Sequence, residues 1–326
     1  MSTPHRPIPY LHSPLRRAAV RGIWLPLVTP FSGGKLNLDA LQALANDMIV
    51  RGVHGLVVCG ATGEAASLDA DEQMAVLAAV LDTARDRCPV MMGVGGSDTR
   101  SVALKIRQFN ATATIGYLVS APSYVRPSQE GILRHFEAVA AETTKPIVLY
   151  NIPGRTGVNM EPATVAALSA RPQFCAIKEA GGHLQQLTDL IGQSRLSVLC
   201  GDDAMLFAAL CAGAHGAFSA AAHIRPDLYV QLFDLIGSQQ LNRARALFRH
   251  LLPMIKLLFS EPNPAPLKAA LSLQGRLREE LRLPMTPVSH ACKKKLAVAL
   301  KLIMALPLYS RAPNSPSPQP LLAEHI

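Results

Sequence analysis

Lys178 stands in the apolar run FCAIKEA, where a charged side chain is costly unless it faces a lined cavity. Burial disfavours the ammonium and favours the neutral amine, a nucleophile that adds to ketones. The iminium so formed withdraws electrons, and the neighbouring carbon loses a proton to become an enamine nucleophile, the chemistry of class I lyases. A lysine paired with Glu179, or capping a strand end, accounts for the same residue without any chemistry. Other polar residues fall where further apolar runs end. Tyr150 in YNIPGRTG offers a phenol able to shuttle the protons of imine formation, or else a simple wedge between core and solvent. Arg155 follows in a turn rich in Gly and Pro, where a fixed guanidinium clamps a carboxylate or else stays solvated. GATGE (60–64) presents backbone N–H groups, Gly63 among them, and the Thr62 hydroxyl. Those donors suit the carboxylate of a 2-oxo acid, although a glycine pair also makes a plain turn.

Positioning these residues requires that several strand ends meet. From Gly22 onward, short apolar runs alternate with helical patterns eight times, the runs falling at 22–30, 55–60, 90–95, 115–122, 146–153, 174–182, 197–203 and 216–220. Each reads as a buried parallel strand. Intervening segments such as 68–87 and 127–143 place apolar residues at helical spacing behind an Asp or Ser N-cap. Eight such units in ~220 residues predict an α/β fold, a closed (β/α)8 TIM barrel, whose chemistry collects at the C-terminal strand ends. The alternation stops after residue 240, and only helical patterns follow. The expected organisation is a disordered basic extension over 1–21, the barrel over 22–240, a C-terminal helical domain over 241–306, and a disordered Pro- and Ser-rich tail over 307–326.

Composition narrows the functional classes. The formal net charge is +9, but Arg6, Arg16, Arg17 and Arg21 face no acid in the first 21 residues. Lys293, Lys294, Lys295, Lys301 and Arg311 face only Glu324 after residue 283. The body between is nearly neutral and carries no electrostatic footprint for nucleic acid. Six cysteines form no CxxC pair, and Cys59, Cys175 and Cys200 lie in apolar runs, as expected of buried free thiols in a reducing cytoplasm. The first twenty residues lack the apolar stretch of a signal peptide, and the run 296–308 is too short to span a bilayer, so no membrane segment is expected. There is no metal-ligand cluster and no nucleotide fingerprint. The expected cofactor is none beyond the lysine itself.

GATGE, YNIPGRTG and IKEAGG, in that order, resemble the dihydrodipicolinate synthase and N-acetylneuraminate lyase family. The likeness runs from about Gly22 to about Leu306. SYVRPSQEG, GDDA, SEPNPAPLKAAL and LRLPMTPVS are more specific and resemble the bacterial synthase branch. The resemblance implies that Lys178 is the Schiff-base lysine, Tyr150 the catalytic tyrosine, and Thr62 with neighbouring amides the pyruvate carboxylate site. It further implies that Arg155 meets the carboxylate of the incoming aldehyde and that the Phe218 carbonyl faces the site. Tyr124 matches a tyrosine that a neighbouring subunit inserts to complete a proton relay, so a homodimer, commonly paired into a tetramer, is implied. The implied reaction is condensation of pyruvate with L-aspartate 4-semialdehyde, giving 4-hydroxy-tetrahydrodipicolinate for lysine and diaminopimelate biosynthesis.

Two departures from the family pattern stand out. Where the family places a hydroxyl residue between the two tyrosines of the relay, this chain has Ala61, so a water or Ser123 must pass the proton, or the reaction is slower or different. At the cleft where lysine-inhibited synthases bind lysine, the chain has Ala70, Gln73, Ser97, Ser101 and Ser123, from which insensitivity to L-lysine is expected. Two alternatives stand beside the synthase reading: a pyruvate-dependent aldolase or dehydratase acting on a sugar-derived 2-oxo acid, and a non-catalytic ligand-binding barrel.

Overall fold

The computed structural model describes residues 20–308. Eight parallel strands close into a barrel: β1 Gly22–Pro26, β2 Gly55–Val58, β3 Val90–Val94, β4 Gly116–Ser120, β5 Ile147–Asn151, β6 Phe174–Glu179, β7 Ser197–Cys200 and β8 Gly216–Phe218. Each strand pairs with its successor, and β8 returns to β1 with Gly22 opposite Gly216. At that seam a Cβ on residue 216 would lie 2.1 Å from the Gly22 carbonyl oxygen, so closure requires glycine there.

The apolar runs form strands because both their faces are buried. Inward-facing Trp24, Val57, Met91, Leu118, Val148, Ala176, Leu199 and Phe218 fill the barrel, while outward-facing residues pack against the helices. The helices start where capping chemistry expects. Asp69 and Glu72 form a reciprocal capping box on Ala70–Ala84, and Ser128 accepts from the Gly131 N–H at the start of Gln129–Ala140.

Pro226–Gly237 closes the eighth unit, and three helices complete the described chain: Leu241–Leu258, Ala265–Leu273 and His290–Met304, here α1, α2 and α3. Arg225 donates to the carbonyls of Ile303, Met304 and Leu306, fastening the end of α3 to the barrel. The packed body begins earlier than the boundary expected at residue 22. Val20 is fully buried in the apolar cluster that fills the barrel, and the Arg21 carbonyl accepts from the Trp24 indole N–H. The rest of the expected basic extension and nearly all of the expected tail lie outside the described residues. Five cysteines are buried as free thiols and Cys211 is exposed. Burial pushes the thiols of Cys59, Cys88, Cys175 and Cys200 up to about 12, which leaves them protonated and inert. Among the described residues no helix is long and apolar enough to cross a membrane.

Candidate active site

Strand alternation decides the direction of Lys178. It lies two residues beyond Ala176 and therefore points into the barrel, while Glu179 points outward. Pairing between Lys178 and Glu179 is thus excluded. Glu179 instead accepts from Asn151 Nδ2 at 2.9 Å, Gln186 Nε2 at 3.1 Å and the Gly181 N–H at 2.7 Å. Burial raises this carboxyl above its ordinary range against those hydrogen bonds.

The Lys178 side chain is only 6% exposed. Its Nζ lies 4.1 Å from the centroid of the Tyr150 ring and 5.5 Å from that of Phe218, and it makes no ion pair among the described residues. Tyr150 reaches it because β5 and β6 pair with Tyr150 directly opposite Lys178. Gly201, just beyond β7, leaves room for the lysine stem: a Cβ there would lie 3.0 Å from both Cγ and Cε. Asp203 is buried nearby, accepting from Ser219 Oγ and from the Ala220 and Ala221 N–H groups. Burial pushes its carboxyl up to about 6, opposed by these bonds and by the charge of Lys178.

Thr62 and Arg155 come together through a residue to which the sequence reading assigned no role. Asn263, two residues before α2, donates from Nδ2 to Thr62 Oγ1 at 3.1 Å, and its carbonyl accepts from Arg155 Nη2 at 3.3 Å. Because the Thr62 oxygen accepts from Asn263, its own proton is left to donate. Gly63 sits differently from expectation. Its N–H donates to the Gly60 carbonyl at 3.0 Å and its carbonyl accepts from Thr29 Oγ1, so it closes the turn. The amides of Ala61 and Thr62 have no protein acceptor among the described residues, which makes them the open donors of this loop. Asn263 lies in the motif SEPNPAPLKAAL, which marked the region but not the contact.

Tyr124 is not brought into the barrel of its own chain. It is 89% exposed, at φ +71°, and its N–H donates to the Thr156 carbonyl. That exposure is consistent with a side chain offered to another copy. Phe218 is buried on β8, and the contact seen with Lys178 is through its ring.

Fold and mouth together define a (β/α)8-barrel lyase. The chain belongs to the dihydrodipicolinate synthetase family, whose model matches residues 19–303. It is 38% identical over 283 residues to a 4-hydroxy-tetrahydrodipicolinate synthase of Geobacter metallireducens, covering 86% of this chain and 98% of the relative. Among solved structures, a monomeric dihydrodipicolinate synthase variant superposes with a TM-score of 0.87 at 33% identity, covering 89% of this chain and 99% of that one. Dihydrodipicolinate synthase from Thermotoga maritima gives 0.85 at 35% identity, covering 87% and 98%. The family read from GATGE, YNIPGRTG and IKEAGG is therefore the right one.

Proposed function

We propose that this lyase condenses pyruvate with L-aspartate 4-semialdehyde through a Schiff base on Lys178. The observation that carries the reading is the buried Lys178 amine, held against the Tyr150 ring by strand register and making no ion pair among the described residues. The amine attacks C2 of pyruvate, and Tyr150 delivers and removes the protons as water leaves. The iminium loses a C3 proton, and the enamine attacks the aldehyde carbon. The amine of the bound aldehyde then displaces Lys178 from C2, closing the ring and freeing the lysine. One water is released overall. The Thr62 hydroxyl and the Ala61 and Thr62 amides hold the pyruvate carboxylate, and Arg155 receives the carboxylate of the aldehyde. Tyr124 enters from a second copy, so the working form is a homodimer or a pair of dimers. No cofactor beyond Lys178 is required, and the setting is the cytoplasm.

Borohydride reduction in the presence of pyruvate, followed by mass mapping, is expected to label Lys178; failure to label it would falsify the mechanism. A coupled condensation assay run beside a panel of sugar acids is expected to show turnover with aspartate semialdehyde alone.

L-Lysine is expected not to inhibit. Ala70 and Ser101 offer no charge or long polar arm, and the Gln73 amide is held by the carbonyls of Ala65 and Leu68, both at 3.1 Å. Ser97 and Ser123 face each other at 3.3 Å. None of these side chains supplies a carboxylate for an ammonium. A titration giving an inhibition constant below millimolar would overturn this expectation.

A further inference from the structure

Beneath the loop that carries Thr62, three segments distant in sequence converge on one buried charge. Lys268, in the first turn of α2, is fully buried, and its Nζ lies 2.5 Å from Glu64 Oε1. The same ammonium donates to the Glu280 carbonyl at 2.8 Å and sits 4.2 Å from the Phe31 ring centroid, with the Arg282 guanidinium 4.5 Å from that ring. Glu64 ends the GATGE turn at φ +54°, a left-handed conformation that non-glycine residues keep only when their surroundings hold it. Its N–H donates to the Ala61 carbonyl. Asn263, which donates to Thr62, lies two residues before the same helix. One rigid element thus grips this five-residue loop at two points, Thr62 through Asn263 and Glu64 through Lys268.

A buried ion pair is an inefficient way to gain stability, since apolar side chains of similar volume do as well or better. It is effective at fixing a direction, because a charge stripped of water accepts few alternative partners. We infer that the Glu64–Lys268 pair is a positioning device for the substrate's carboxylate. It holds loop 60–64 so that the Ala61 and Thr62 amides and the Thr62 hydroxyl converge before the 2-oxo acid arrives. Burial pulls the Lys268 ammonium below its ordinary range, while the charge of Glu64 works to keep it ionised. This inference rests on the reading of that loop as the carboxylate site.

The test measures, in the full-length enzyme, the pyruvate concentration that half-saturates borohydride trapping, together with KM and kcat. Lys268→Met and Glu64→Gln are each expected to raise half-saturating pyruvate about tenfold with kcat within about twofold. Leu251→Ala, a core truncation in α1, serves as a control for general destabilisation and is expected to leave the pyruvate dependence unchanged. The inference falls if either folded variant binds pyruvate as the native enzyme does, or if Leu251→Ala shifts binding equally. Should Lys268→Met not fold, Glu64→Gln decides, since its amide keeps the shape and removes only the charge. Thr62→Val tests the underlying reading separately. If it leaves half-saturation unchanged, loop 60–64 is not the carboxylate site, whereas a shift there with none at residues 64 and 268 defeats the positioning role alone.

Discussion

Lys178→Met is expected to abolish turnover while leaving the barrel at least as stable as the native protein. Methionine keeps most of the stem that passes Gly201 and lies against the rings of Tyr150 and Phe218, and it removes only the amine. Without the amine no iminium forms, and a loss on the order of 10⁴-fold or more is expected, the scale seen when a covalent nucleophile is deleted. The thermal midpoint should hold or rise, because a buried amine that makes no ion pair among the described residues is exchanged for an apolar group. Steady-state rates, borohydride trapping and a circular-dichroism melt check the three parts. Turnover within tenfold of native in a folded Lys178→Met enzyme would remove covalent catalysis from the mechanism.

Tyr150→Phe separates proton transfer from imine capture. The ring stays, and with it the packing against Val148, Ala176 and Phe218 inside the barrel, so the melting temperature should hardly move. Only the hydroxyl is lost. Turnover is expected to fall about 10²–10⁴-fold, the usual contribution of a positioned general acid and base. Lys178 should still become labelled by pyruvate and borohydride, but slowly, because water must replace the phenol as proton carrier. A variant that turns over normally would show that Tyr150 serves only as the aromatic wall seen 4.1 Å from the amine. A variant that never labels at long incubation would show that the hydroxyl is needed for the imine itself.

The contrast between Lys178 and Lys268 shows how far a one-dimensional reading reaches. Both are lysines in apolar surroundings, yet only Lys178 lies in a strand whose alternation sets its direction and whose neighbour in register supplies a tyrosine. Strand periodicity is local, so the inward direction of Lys178 was legible, and with it the adjoining strand that carries Tyr150. Lys268 is helical, and its partner Glu64 lies on the other side of the barrel sequence; nothing within either segment announces the pair. Gly63 illustrates the opposite failure. The motif marked it as a donor, but turn closure takes up its N–H and leaves the Ala61 and Thr62 amides as the open donors of the loop. Asp203 lay within the noted GDDA segment, and only the packing of Ser219 and the following amides around it shows how it is held near the lysine.

The chain by itself determined the eightfold alternation, and with it the barrel, the convergence of strand ends, the inward lysine and the family. These follow from short-range rules: the period of two in strands, helical spacing, capping residues and the cost of a charge in an apolar run. Only the tertiary structure decided which donors of loop 60–64 stay open and what holds them there. Thr62 and Asn263 are 201 positions apart. Contacts of that kind arise when the C-terminal helices settle against the barrel mouth, and the requirement that each buried polar group find a partner then selects Asn263 for Thr62 and Lys268 for Glu64.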